Sequence, residues 1–392
     1  MTTAWSTLSG KPYVTVSPVG TAEGYSTNNG ADYGPDTSGT ASDGVKQAVA
    51  SGYDVYLIQA PPGQAKNYFS VGETILVNTP GQRIFGSLQV SLNITADIDV
   101  IQIDANANDT RGYQLSGIRI ENPDTRQTTK AAIHLLNANG NIWQLRLEHI
   151  KMNNVFNGIT SDPVTASSSN NGIWQLYASD IFIQNFSVQE TSSSYAGGQG
   201  LVLSNFYDNT WLDLFLNNPS AQVDLTNYNI VLSLGAPNPN PFYSGSWFIR
   251  TKILGSSKVT CGRVHSSNVG FFAQDVASLY LTDCLADCWG GSGFLFKGYM
   301  DRLRLSGCVA SSTGNNGFEV AYGSSSDPTT GTFLFDDCEA LENYYDGFLS
   351  NTGSYNTSTP VINGGSAVKN TNATVQPTGT LPGQFRVNNL TP

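Results

Sequence analysis

Positive charge is scarce in this sequence. Its 392 residues carry 19 Lys and Arg against 30 Asp and Glu, with 3 His, for a formal net charge of −11. So few cations cannot build a basic patch that would follow a phosphate backbone, and nucleic acid is excluded as a partner. Charged residues of both signs make up only 12% of the chain. An anionic polymer would meet a repulsive field unless positive charge were concentrated locally. No run of eighteen apolar residues occurs, which leaves no helical membrane span. The N-terminus, Met1-Thr2-Thr3-Ala4-Trp5, lacks a basic stretch leading into an apolar run, so no secretory leader is expected.

Cysteine is sparse and odd in number. Five thiols cannot all pair, and Cys284 with Cys288 has no second Cys or His pair at zinc spacing. His134 and His149 stand too far apart in sequence for a metal site. Neither a Gly-x-Ser-x-Gly elbow nor a phosphate-cradling glycine loop is present, so esterase and nucleotide chemistry lack support. No metal and no cofactor are expected.

Glycine is abundant, with 40 residues, alongside much Ser, Thr and Asn. Such a composition suits either tight turns between short strands or low-complexity disorder. The 39% apolar and 11% aromatic content decides for an all-β protein with a core.

The strongest pattern is a repeat. Cys261, Cys284, Cys308 and Cys338 each precede a Gly-Phe pair by nine residues: Gly270-Phe271, Gly293-Phe294, Gly317-Phe318 and Gly347-Phe348. The cysteines are 23, 24 and 30 residues apart. A fixed distance inside a variable period is one structural turn recurring with loops inserted between copies. Cys284, Cys308 and Cys338 read as small, reduced, inward-facing hydrophobes.

A second pattern, apolar-x-apolar-x-x-apolar, aligns Leu145, Leu147, Ile150 with Ile181, Ile183, Phe186, then Leu279, Leu281, Cys284, then Leu303, Leu305, Cys308, then Phe333, Phe335, Cys338. Alternation on two sets a strand with one buried face, and the skipped residue marks a bend. Asn157-Gly158, Asn316-Gly317 and Asp346-Gly347 are expected to turn corners in left-handed backbone. These features predict a right-handed parallel β-helix of about ten to twelve coils, each rising about 4.8 Å. Helical repeats are excluded by the density of Gly, Ser and Asn, and leucine-rich repeats by the missing Leu/Asn spacing.

The chain divides into a lead-in over 1–67, the coils over 68–352 and a tail over 353–392. Ser42-Asp43 is placed to cap a short helix, Gly44–Ala50, with Val45, Ala48 and Val49 on one face. That helix would cover the open end of the solenoid. Ser161–Asn171, Thr191–Gly198 and Gly235–Gly245 are long interruptions of the kind that wall a groove. Gln384-Phe385-Arg386-Val387 reads as a last strand or an oligomer contact.

The stretch Gly34–Gly86 resembles the entry region of pectate-lyase-like β-helix proteins, phage tailspikes in particular. That family leads an Asp/Gly/Thr-rich segment into a short helix and then a V-Y-L-P-x-G-x-Y strand and turn. The counterparts are Asp36-Thr37-Ser38-Gly39-Thr40, Asp43–Ala50, Val55-Tyr56-Leu57 and Pro62-Gly63, followed by Tyr68–Val71, Thr74–Val77 and Arg83–Gly86. The chain departs by inserting Ile58-Gln59-Ala60 and Gln64–Asn67. The resemblance covers about fifty residues closely. It implies a homotrimeric β-helix on a virion tail or outside the cell that recognises or cleaves polysaccharide. No Asp cluster matches the calcium ladder of classical pectate lyases.

Aligning the triplets places Arg146, Phe182, Tyr280, Arg304 and Leu334 in one outward row, with Glu148 and His149 beside it. Asp180 falls two residues ahead of Phe182. Asp213 joins the row if Leu212 and Leu214 continue the pattern. Asp180 and Asp213 would then lie about 8 Å apart along the backbone, with Glu148 as an alternative partner. Two carboxyl groups at such range are what glycoside hydrolysis requires, one protonated and one ionised. Trp174, Tyr177, Phe182 and Trp211 offer faces for sugar rings, with Arg146, His149, Arg250 and Tyr280 as further substrate contacts. A rival constellation, Arg250, Lys252, His265, Tyr280, Arg302 and Arg304, suits β-elimination, in which a cation neutralises a uronate and a base removes the C5 proton. Hydrolysis, elimination, fructan conversion and non-catalytic glycan binding by a spike all remain open on these residues.

Overall fold

The computed structural model describes residues 12–391 apart from 88, 106–109, 124–128, 138–139, 163–170, 185–189, 192–193, 196–199, 205, 208–210, 218–222, 227–245, 250–251, 255–268, 275, 277, 288–290, 322–328, 352–356, 373–374 and 377–384. The chain forms two compact units, Met1–Asp162 with Leu176–Gly198, and Pro163–Gln175 with Gln199–Pro392. Both are built as right-handed parallel β-helix, the hand that parallel crossovers adopt.

In the first unit, each coil lays a strand beside its counterpart in the coil before. Residues one coil apart therefore stack into columns. Val14, Val55, Ile84, Leu115, Leu147 and Ala178 pair in turn along one inward column. Phe69, Leu92, Ile120, Met152 and Ile183 make a second. Ile75, Ile101, Ile133 and Ile159 make a third on another face. All are buried. Two of the strands, Tyr13–Val16 and Asp54–Leu57, come from within the lead-in.

The helix forms over Val45–Ala50 and buries Val45, Ala48 and Val49, as its apolar face predicts. Ser42 Oγ accepts from the Lys46 N–H at 3.1 Å, which satisfies an orphan donor of the first turn. Asp43 is drawn away instead and accepts from the Ser70 N–H at 2.7 Å. The helix packs on the strand Ile75–Val77, the first of its face.

In the second unit the Gly-Phe repeat becomes a ladder. Phe271, Phe294, Phe318 and Phe348 stack with ring centroids 4.6, 4.9 and 4.8 Å apart and planes within 10°. The three cysteines expected inside are thiols not joined in disulfides, and all are wholly buried. Their coils interlock through Val309 N–H to Cys284 O and Glu339 N–H to Cys308 O, both 2.8 Å. Cys261 lies outside the described residues. The strand Arg386–Asn388 closes the series by pairing with Val361–Asn363.

The corners differ from expectation. Asn157, Asn316, Asp346 and the glycines after them all keep negative φ. Left-handed backbone falls instead at skipped residues of the triplets, His149, Asp180, Asp283, Gly307, Asp337 and Gly364, with φ between 49° and 69°, and at other positions such as Ser312, Glu342 and Lys369. Gly317 is a glycine for space: a Cβ there would stand 2.7 Å from Gly347 O and 2.8 Å from Asn343 Nδ2. Asn316 is buried and uses Oδ1 to accept from the Asp346 N–H at 3.2 Å. Of the long interruptions, 163–170, 192–193, 196–198 and 235–245 lie outside the described residues; Glu190–Thr191 and Ser194–Tyr195 form a small antiparallel pair.

Candidate functional site

The register decides which side chains share a face. Arg146 pairs with Gln114 and Tyr177, and Glu148 with Ser116 and Ser179. Ile150 pairs with Ile181, so Phe182 stands beside Lys151 rather than in the row of Arg146. The triplet in this coil is Leu176, Ala178, Ile181, all buried, and not Ile181, Ile183, Phe186. Ala178 fits the inward column but is too small to announce it in the sequence. Asp180 is consequently the bend residue, the counterpart of His149.

Both bend residues are polar because a left-handed non-glycine backbone is tolerated best by Asn, Asp and His. In the preceding coil the bend is Gly117, where a Cβ would run into Gly86 O at 2.2 Å. Their side chains meet: His149 Nδ1 lies 2.9 Å from Asp180 Oδ2, with both side chains about 60% exposed. Glu148 is better shielded, at 22%. Its Oε2 accepts from Gln114 Nε2 at 2.9 Å, and its Oε1 lies 3.8 Å from Arg146 Nη1. The Arg146 guanidinium sits over the ring of Tyr177, 5.8 Å from its centroid. Three successive coils of the first unit thus bring together Gln114, then Arg146, Glu148 and His149, then Tyr177 and Asp180. They make one outward face with two carboxylates, a cation, an imidazole and an exposed aromatic.

Asp213 belongs to the second unit. Leu212 pairs with Phe248, and Phe248 with Leu281. Asp213 therefore follows the second inward residue of its coil, the place Glu148 and Asp336 hold in theirs, and not the place of Arg146. Trp211 takes that place and pairs with Trp247, which pairs with Tyr280 and through it with Arg304. Trp174 lies on a separate short strand paired with Phe206–Tyr207.

Of the elimination constellation, Tyr280, Arg302 and Arg304 lie on paired strands and Lys252 stands apart from them. Arg250 and His265 lie outside the described residues. Lys252 pairs with Leu285, beyond the bend at Asp283, whereas Arg302 pairs with Ser278 and Tyr280 with Arg304, before it. Arg304 is tied to Asp336 at 2.9 Å. Among the described residues no group of three or more His, Cys, Asp or Glu is arranged to hold a metal ion, and no helix is long and apolar enough to cross a membrane.

Two further titratable features stand away from this face. His134 lies between Asp99 and Asp162, with Nδ1 and Nε2 at 2.9 and 3.0 Å from their carboxylates. Burial opposes its charge, but hydrogen bonds to Asp162 and Asp99 outweigh that and raise the pKa to about 9. Burial likewise works against Asp99, yet bonds from His134, the Ala131 N–H and Gln102 bring it down to about 2.

No protein-family model and no curated protein matches the sequence. Solved structures do resemble the chain in fold. The A-module of the mannuronan C-5 epimerase AlgE6 of Azotobacter vinelandii is 10% identical, aligns over 92% of this chain and 99% of its own, and gives a TM-score of 0.49. The catalytic domain of a GH87 alpha-1,3-glucanase is 11% identical over 97% of this chain and 69% of its own, with a TM-score of 0.44. The periplasmic alginate epimerase AlgG is 9% identical over 86% and 83%, with a TM-score of 0.43.

Proposed function

We propose that the chain is a polysaccharide-modifying β-helix enzyme that cleaves glycosidic bonds on the outward face around Glu148. The observation that carries this is the grouping of Glu148 and Asp180 on paired strands, flanked by Arg146, Tyr177 and His149. Adjoining coils are about 4.8 Å apart, which puts the two carboxyl groups in the range that glycosidases use. Glu148, steered by the Gln114 amide, gives its proton to the glycosidic oxygen as the C–O bond breaks. Asp180, oriented by His149, takes a proton from the water that attacks the anomeric carbon. Tyr177 offers its ring to the apolar face of a sugar, and Arg146 binds hydroxyls.

Glu148→Gln and Asp180→Asn should each lower the release of reducing ends from a responsive polysaccharide by about a hundredfold or more, with the circular dichroism spectrum unchanged. Full activity in both variants removes these carboxylates from the reaction. Glycan binding without cleavage by the parent protein would make the chain an adhesin.

The contact of His149 with Asp180 beside Arg146 supports a second reading, β-elimination from a uronate, with the imidazole as base and the guanidinium on the carboxylate. An ultraviolet-absorbing unsaturated product marks that outcome. The resemblance to tailspikes further supports a homotrimer on a virion tail or in the extracellular space. Light scattering then gives three times the chain mass of 41.9 kDa, and a mass of one chain discards the trimer.

A further inference from the structure

On the same face, towards the N-terminus of the first unit, lies a hollow that the reaction around Glu148 does not use. It has a volume of about 250 Å³ and is lined by Pro12, Tyr13, Asp54, Tyr56, Arg83 and Phe85. The register makes it continuous with the candidate site. Phe85 pairs with Ser116 and Ser116 with Glu148, while Arg83 pairs with Gln114 and Gln114 with Arg146. Two coil spacings, about 10 Å, separate the hollow from Glu148.

Its chemistry is that of a sugar platform. Tyr56 pairs with Phe85 on the next coil, and Tyr13 and Tyr56 are 37% and 45% exposed where a protein ordinarily hides such rings. Asp54 and Arg83 hold each other in a fork, with Arg83 Nε and Nη2 at 2.8 and 2.6 Å from Asp54 Oδ2 and the Arg83 N–H at 2.9 Å from Oδ1. The guanidinium also lies 5.3 Å from the centroid of Phe85. The pair is neutral as a whole, rigid, and edged by aromatic faces. That arrangement fits a ring with one apolar face and a rim of hydroxyls better than it fits an anion, which Asp54 would repel. The volume falls below the roughly 300–1,000 Å³ of pockets that enclose a whole small molecule. It is the size for part of a longer ligand.

We infer that this hollow is a binding subsite for a neutral sugar residue of a polysaccharide, in line with the Glu148 face. The inference of a shared chain rests on the proposed reaction there; the binding of sugar at the hollow does not.

The test uses the full chain carrying Glu148→Gln, so that binding is read without turnover. Affinity electrophoresis is run through gels containing an α-glucan, a β-glucan, a galactomannan or alginate. At least one neutral polysaccharide should retard the protein. Adding Tyr56→Ala and Phe85→Ala should weaken that retardation roughly tenfold or more, from the loss of two aromatic contacts, and Tyr56→Phe should preserve it. Unaltered retardation in the folded double variant, retardation by alginate alone, or none by any neutral polysaccharide overturns the subsite. So does a drop in light-scattering mass with glycan binding unchanged, which would make the hollow a contact between copies of this chain. Failure of the catalytic reading shows separately, as binding by the parent protein without cleavage.

Discussion

His134 shows how much one side chain can hold when coils stack. Asp99 precedes the strand Ile101–Asp104, and Asp162 follows Asn157–Ser161, the two strands that flank Ala131–Leu136. The imidazole therefore ties three successive coils, and with both nitrogens facing carboxylates it is held as the cation. Its folded pKa of about 9 lies above the ordinary 6.5. The stability it contributes is complete below pH 6.5 and is lost as pH rises through about 9. Asp99 has the opposite sign: its contribution is present above pH 3.8 and is lost as pH falls through about 2. The ring is 22% exposed, so after solvent screening the shared contribution is on the order of 2 kcal/mol. Denaturant unfolding of His134→Gln beside the parent should show that gap near pH 6 and its closure by pH 10. A gap that stays constant over this range would mean that the ring is neutral in the folded protein. Nothing in the sequence pointed to this clamp, because its three members lie about thirty residues apart in sequence and meet only through the register.

At the level of the repeating element, stability rests on identical side chains meeting in columns. Phe318 is stacked between Phe294 and Phe348 and meets Phe335 edge-on. Phe318→Ala empties the centre of that ladder and should cost about 3–5 kcal/mol in urea unfolding. Gly317→Ala should cost about 1–3 kcal/mol, because its methyl meets backbone and a buried amide that cannot withdraw; a neutral effect would show that the coil breathes at this corner. The Phe ladder and the cysteines were legible in the sequence because large or unusual residues recur at a fixed spacing. The bend residues were legible as gaps in the triplets wherever all three inward positions are distinctive in type, as at Leu303, Leu305 and Cys308. The pattern failed at Ala178, where a small inward residue let Ile181 be mistaken for the start of a triplet. That slip moved Phe182 into a row where Tyr177 belongs and left Asp180 outside the bend that gives it His149 as neighbour. The site residues themselves were visible as types, but which of them share a face is set by the register alone.

For the whole molecule, the governing quantity is the net charge of −11. Within the first unit the cations of the candidate face are largely committed: Arg83 to Asp54, and Arg146 near Glu148. An approaching polyuronate therefore meets a negative surface whose local positive charge is already balanced. A neutral glycan meets no such barrier. Repulsion of this kind is screened over a Debye length of about 10 Å at 0.1 M salt and over about 3 Å at 1 M. Retardation by alginate, if it occurs, should therefore strengthen as salt is raised from low values, while retardation by a neutral glucan should stay level. The opposite result, alginate binding that is strongest at low salt, would mean that a cationic groove dominates the long-range field. It would then favour β-elimination over hydrolysis, because neutralising a uronate is the one task here that needs an uncommitted guanidinium.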